Sequence, residues 1–178
     1  VQSPGCMTYC MLQIGYHGGD LVSHLFFEER QNDFGEMMLH HTAAVSLLVS
    51  MTFANQTPIG CVVSYLHDIA DITVAICKWL SNSYETWAGV FLVINIIVWG
   101  YTRIFVFGYI VFRIWTEKVF TCYRDGPFAD FWPIVVLSAV MLSALLVLHV
   151  FWWFLMFKII YIFVVKGKAE DVQNEVSK

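Results

Sequence analysis

Between Ile134 and Val165 the chain carries a single charged residue, Lys158, in a run that is otherwise almost wholly apolar. No other feature constrains the fold as much, because a bilayer-spanning helix needs about 20 mainly apolar residues. Shorter runs of similar character precede it, from about Met7 to Phe27, Met37 to Ala54, Ile59 to Leu80 and Trp87 to Trp115. Backbone polar groups cannot face lipid unsatisfied, so spanning segments are either helices or strands of a closed barrel. These runs are too long and too continuously apolar for alternating barrel strands. The sequence therefore predicts an all-α fold, a polytopic membrane helix bundle with about five transmembrane helices.

Composition points the same way. Of 178 residues, 58% are hydrophobic and 13% charged, about half the roughly 25% charged share of a soluble domain. An exterior built from so few charges faces lipid. Net charge is -4, and no stretch gathers enough Lys and Arg for a nucleic-acid partner. The cysteines (Cys6, Cys10, Cys61, Cys77 and Cys122) show no CxxC spacing, and in apolar segments such thiols pack as small hydrophobes.

The weakest span is the first, which Gln13, His17, Asp20 and His24 interrupt. A polar loop, FEERQNDFGE, follows it. Pro58 suits the start of the third helix, where its missing N–H is no loss. Asp125, Gly126 and Pro127 form a turn signal before the last span. Residues 1–165 read as the transmembrane domain and 166–178 as a polar C-terminal tail. With five spans, Arg30, Lys78, Lys166, Lys168 and Lys178 fall on one side, which puts the C-terminus in the cytosol or its equivalent. The chain opens on Val1 with no basic segment and cleavage site of the signal-peptide kind.

The chemistry lies between His40 and Asp71. His40 and His41 stand at the mouth of the second helix, and His67, Asp68 and Asp71 sit within the third. Residues three and four apart share a helix face, which groups His67 with Asp71 and Asp68 with Asp71. Ionisable groups inside a membrane face the bundle interior or a wet cavity. Two consecutive helices thus bring three imidazoles and two carboxylates toward one interior site. Such a set suits proton transfer, since a His can deprotonate an amine or hydroxyl or itself accept an acyl group. A polar network that only joins helices is the alternative use of the same residues. The HH and HDxxD spacings do not match the HExxH pattern of zinc proteases, so no metal is expected.

The ordered string His40, His41, Asn55, Gly60, His67, Asp68, Asp71 and Lys78 resembles the signature of ceramide synthases in the TLC-domain superfamily. The likeness continues in Asp33-Phe34, Arg103, Gly126-Pro127, Leu148-His149-Val150 with Trp152, and Gly167-Lys168. It implies a TLC-type ring of six helices around a tunnel, of which this chain carries five and lacks the first. It implies transfer of a fatty acyl group from acyl-CoA to the amine of a sphingoid base. His40 and His41 would then be acyl acceptor or general base, with His67, Asp68 and Asp71 orienting and charge-balancing them. Arg103, His149 and Asn55 are the expected substrate-binding residues, although Arg103 could equally pair with an internal acid and His149 could bridge helices. No cofactor is implied beyond acyl-CoA as co-substrate.

Departures from the family pattern support a second reading. Ala44, Pro58, Ala75, Gly108 and the Gln31-Asn32 pair stand where the family carries Thr, Arg, Glu, Pro and basic residues. The alternative is a non-catalytic TLC-fold accessory or structural subunit of a larger membrane complex, or a lipid-binding member. Partners implied are membrane lipids, acyl-CoA and a sphingoid base, with a homodimer or a larger membrane complex both compatible. The resemblance implies the endoplasmic reticulum, and no targeting signal speaks for or against the mitochondrial inner membrane. Trp132, Trp152 and Trp153 read as interfacial anchors and packing residues.

Overall fold

The computed structural model describes residues 3–27, 34–54, 56–81, 85–116 and 129–166. Every element among them is helical. In chain order these are α1 (Pro4–Phe26), α2 (Phe34–Phe53), α3 (Thr57–Ser81) and α4 (Glu85–Trp99). A π-helical stretch, Gly100–Val106, then carries α4 without a break into α5 (Phe107–Thr116). A short 3-10 turn, Ala129–Phe131, leads into the long α6 (Trp132–Lys166). The observed helices begin and end within a few residues of the sequence expectation, with α4, the π stretch and α5 together making the fourth span.

Three of these rods are long and apolar enough to cross a membrane: Thr57–Leu80, Gly89–Thr116 and Trp132–Val165. The other two, α1 and α2, pack alongside them. Neighbouring pairs are α1 with α2, α2 with α6, α6 with α4, α4 with α3, and α3 back with α1. That circular order closes a ring, and α2 and α3 also touch across it. The protein is an integral membrane protein.

The distribution of side chains explains why α1 joins the ring despite its polarity. Its buried residues are Cys10, Gln13, His17 and His24, which recur at helical spacing on one face. Leu12, Tyr16, Phe26 and their neighbours are exposed on the other. The helix is amphipathic with its polar side inward, the reverse of a soluble surface helix. Pro4 sits in its first turn, where the absent N–H is harmless.

The apolar core forms where α2, α5 and α6 meet. Ala43, Leu47 and Met51 pack with Phe107, Val111, Leu142 and Leu145. Beside them the Ser50 and Ser138 hydroxyls lie 2.9 Å apart, tying α2 to α6. Such interhelical hydroxyl contacts contribute on the order of 1 kcal/mol in a membrane, where packing rather than hydrophobicity drives helix association.

Candidate functional site

The π-helical stretch sets the site's geometry. A wide turn inserts an extra residue into a helix and re-aims the side chains it carries, and such turns are frequent at functional sites. Here it carries Arg103, which is 2% exposed and turned inward. Thr102 donates its hydroxyl to the Val98 carbonyl at 2.8 Å, occupying an acceptor in the turn before the widening. Gly100 faces the Trp153 indole so closely that an added Cβ would lie 3.2 Å from the ring. The missing side chain lets α6 approach the wide turn.

Arg103 gathers three elements. One terminal nitrogen, Nη2, donates to the Asp71 carboxylate and to the His67 carbonyl at 3.0 Å. The other, Nη1, lies 3.4 Å from Nε2 of His149. Its guanidinium also stacks 4.4 Å from the Trp99 ring centroid, an attraction that strengthens when the cation is desolvated. Arg103 therefore has the internal acid partner that the sequence left as the alternative to holding a substrate anion.

His149 is fully buried at the centre of the ring. Its Nε2 is 3.2 Å from Nε2 of His67, whose Nδ1 lies 2.7 Å from the Val63 carbonyl. A carbonyl only accepts, so His67 carries its proton on Nδ1. In the neutral His67 ring, Nε2 is then an acceptor, and His149 must donate to it from its own Nε2. That tautomer leaves the His149 Nδ1 lone pair without a partner, consistent with its orphaned, buried state. The Arg103 contact competes for the same His149 nitrogen. With that nitrogen donating to His67, it has no lone pair for Arg103, whose Nη1 stays in contact at 3.4 Å.

The carboxylates take different places from those expected. Both ring nitrogens of His67 are occupied, by Val63 and His149, so a backbone carbonyl rather than Asp68 or Asp71 fixes that ring. Asp68 instead accepts from the Tyr9 hydroxyl at 2.5 Å and from Gln13 at 2.7 Å, which fastens α3 to α1. Gln13 also reaches the Tyr9 hydroxyl at 2.9 Å. Asp71 serves Arg103, and its side chain remains 56% exposed. The helical spacing grouped Asp71 with His67 but could not name its partner, Arg103.

His40 and His41, though adjacent, divide the interior. His40 faces the buried pair, with ring centroids 5.9 Å from His149 and 6.3 Å from His67, and the Trp152 indole stands edge-on at 5.3 Å. Its Nδ1 has no partner. His41 turns toward α1, where its ring lies 5.8 Å from His24 and its ligating nitrogen is near His17 and Asp20. Asn55 lies outside the described residues.

Of the two roles expected for Trp152 and Trp153, anchoring and packing, the structure shows packing. The first walls His40, and the second donates its indole N–H to the Ile96 carbonyl at 3.0 Å. A run as apolar as α6 has no face legible in its sequence, so their inward direction shows only in the packing. Trp99, also missed, donates to the His149 carbonyl at 3.1 Å. Tyr9 and Gln13 were hidden for another reason, since their partner lies on a different helix. The signal was that Gln13 stands one turn from His17 on the same face.

A small, mostly apolar cavity of about 30 Å³ is lined by His17, His40 and His67 together with Leu47, Met51 and Gly60. That is room for a water molecule or two. A Cβ on Gly60 would lie 3.4 Å from Met51 Sδ and 3.6 Å from Cys10 Sγ.

The described residues thus form a ring of membrane helices with an inward-facing polar α1, a histidine-rich interior and a small apolar cavity. Residues 1–158 match the TLC domain, and the chain belongs to the TLC-domain family. It is 31% identical over 170 residues to ceramide synthase 4 of Mus musculus, covering 94% of this chain and 42% of that protein. Ceramide synthase 4 of Homo sapiens is 30% identical over 182 residues, or 98% and 43% of the two chains. Ceramide synthase hyl-2 of Caenorhabditis elegans is 26% identical over 174 residues, or 94% and 52%. The chain thus spans about half the length of the curated relatives it matches.

Proposed function

We propose that the ring carries out ceramide synthase-like acyl transfer, from acyl-CoA to the amine of a sphingoid base. The observation that carries this reading is the position of His40, which lines the apolar cavity with its Nδ1 unpartnered and its ring beside the His67–His149 pair. An imidazole so placed is free to attack a thioester carbonyl. The C–S bond breaks as the C–N bond to His40 forms, and the thiol of CoA leaves with a proton. The sphingoid amine then attacks the acyl carbon, the bond to His40 breaks, and the amine's proton passes to an imidazole. His67 and His149 stand ready to carry that proton. The acyl chain follows the cavity along α2, where it displaces flexible side chains such as Met51. A dry, walled channel protects the acyl-imidazole from water. The protein works in the endoplasmic reticulum membrane on this reading.

A second reading has its own support. Arg103, Asp71, His67 and His149 bond to one another without any ligand, and Asp68 is held by Tyr9 and Gln13. Removing one member of such a network leaves its mate buried and unpaired, so these residues would be kept in a subunit without turnover.

The two are separated by acyl-transfer assay on the full-length protein in detergent, with a long-chain acyl-CoA and sphinganine. Amide product that vanishes in a folded His40→Ala variant supports the enzyme. Wild-type protein that is stable yet inactive, even with its native partners, supports the subunit.

A further inference from the structure

We propose that His17, Asp20 and His41 form a binding site for a divalent transition-metal ion of the zinc type. Each offers one ligand atom, and these atoms all lie within 4.8 Å of one another. His17 and Asp20 are three apart on α1 and so share one face, while His41 comes from the first turns of α2. Two helices that pack closely thus supply all three donors. In a tetrahedral zinc site, bonds of about 2.0–2.2 Å place neighbouring donors about 3.4 Å apart. The observed spread, at most 4.8 Å, is little wider than that.

The donor set has the right chemistry. Two imidazoles and one carboxylate are a recurrent three-ligand zinc set, which leaves a fourth position for water or a substrate atom. Neutral imidazoles add no charge, so the trio carries one formal negative charge that a divalent cation would more than balance. His17 is 8% exposed and its Nδ1 is buried without a hydrogen-bond partner. Buried ionisable groups in a membrane are stabilised by pairing or by coordinating metal. His17 also lines the apolar cavity with His40 and His67, so the ion would sit beside the same chamber. The HH pair would then split its work, with His41 holding the ion and His40 left to the acyl group.

The site does not depend on acyl transfer, and its test reads bound metal rather than turnover. Full-length protein, purified in detergent through an affinity tag without histidines, is loaded with Zn²⁺, washed and analysed for metal by mass spectrometry. About one zinc per chain is expected, falling at least tenfold in both His17→Ala and Asp20→Asn and persisting in His149→Leu. Asp20→Asn is nearly isosteric, which guards against loss by misfolding. X-ray absorption on the wild type gives a variant-free check, expected to show nitrogen and oxygen donors and no sulfur. The proposal is overturned if the washed wild type holds less than about a tenth of an equivalent. It is equally overturned if His17→Ala and Asp20→Asn bind as much as wild type, or if the absorption spectrum shows sulfur from the nearby Cys6, Cys10 and Cys61.

Discussion

His67 and His149 meet Nε2 to Nε2 at 3.2 Å, joining the third helix to the last across 82 positions of sequence. Only one of the two nitrogens can be a bare acceptor if the contact is a hydrogen bond, so the pair holds a proton between its rings. Replacing His149 by Leu keeps most of the volume but leaves His67 Nε2 without a buried partner, at a cost of about 1–3 kcal/mol. If the pair moves the amine's proton, turnover should fall by roughly 10²–10⁴-fold. Measuring melting temperature and acyl transfer on the same preparation separates the two effects. A variant that is destabilised but fully active would show the pair to be structural.

Arg103 and Asp71 should behave as one unit. Removing one partner of a buried pair typically costs about 3–5 kcal/mol. Asp71 is 56% exposed, so Asp71→Ala belongs at or below the low end, while Arg103→Ala, which empties a buried site, belongs higher. The double variant Arg103→Met with Asp71→Leu should be less destabilised than the sum of the single ones. Additive losses in detergent melting curves would show that the two side chains are energetically independent.

Tyr9→Phe removes one hydroxyl and nothing else. It should loosen α1 from α3 by about 1.5–3 kcal/mol, the range for a hydrogen bond to a charged group. Protease sensitivity in the α1–α2 connection, compared with wild type, reads that loosening directly. Unchanged sensitivity and melting would mean that Gln13 alone holds Asp68.

Gly60 gauges whether the cavity is the acyl path. A side chain there meets Met51 and Cys10, so Gly60→Val should shorten the channel. The expected result is a shift toward shorter acyl-CoA substrates with the reaction otherwise retained. An unaltered product profile across chain lengths would place the acyl group elsewhere.

Much of this arrangement could be read from the sequence, and the limits have physical causes. Helix positions followed from apolar run length, and His40, His67 and Asp71 were placed inside because charge in lipid must turn inward. Long-range partners were a different matter. Nothing local to Asp68 announces Tyr9 or Gln13, which lie 59 and 55 residues away. The wide turn at Gly100–Val106 left no mark either, because the same Gly, aromatic and β-branched residues recur along the other apolar helices of the chain. His149 resembled an isolated polar residue in α6, yet His40, His67, Trp99, Arg103 and Trp152 all touch or approach it.

The inward polarity of α1 also bears on how the protein is made. Synthesis delivers α1 and α2 to the membrane before α3 and α6, the later helices they pack against. An aspartate such as Asp20 costs about 2.5–3.5 kcal/mol at the centre of a lone inserted helix. Tyr9 and Gln13 gain their shared partner only when Asp68 of α3 arrives. The early helices are therefore poor independent insertion units, and the nascent chain needs a chaperoning surface, such as a translocon wall, until α3 and α6 close the ring.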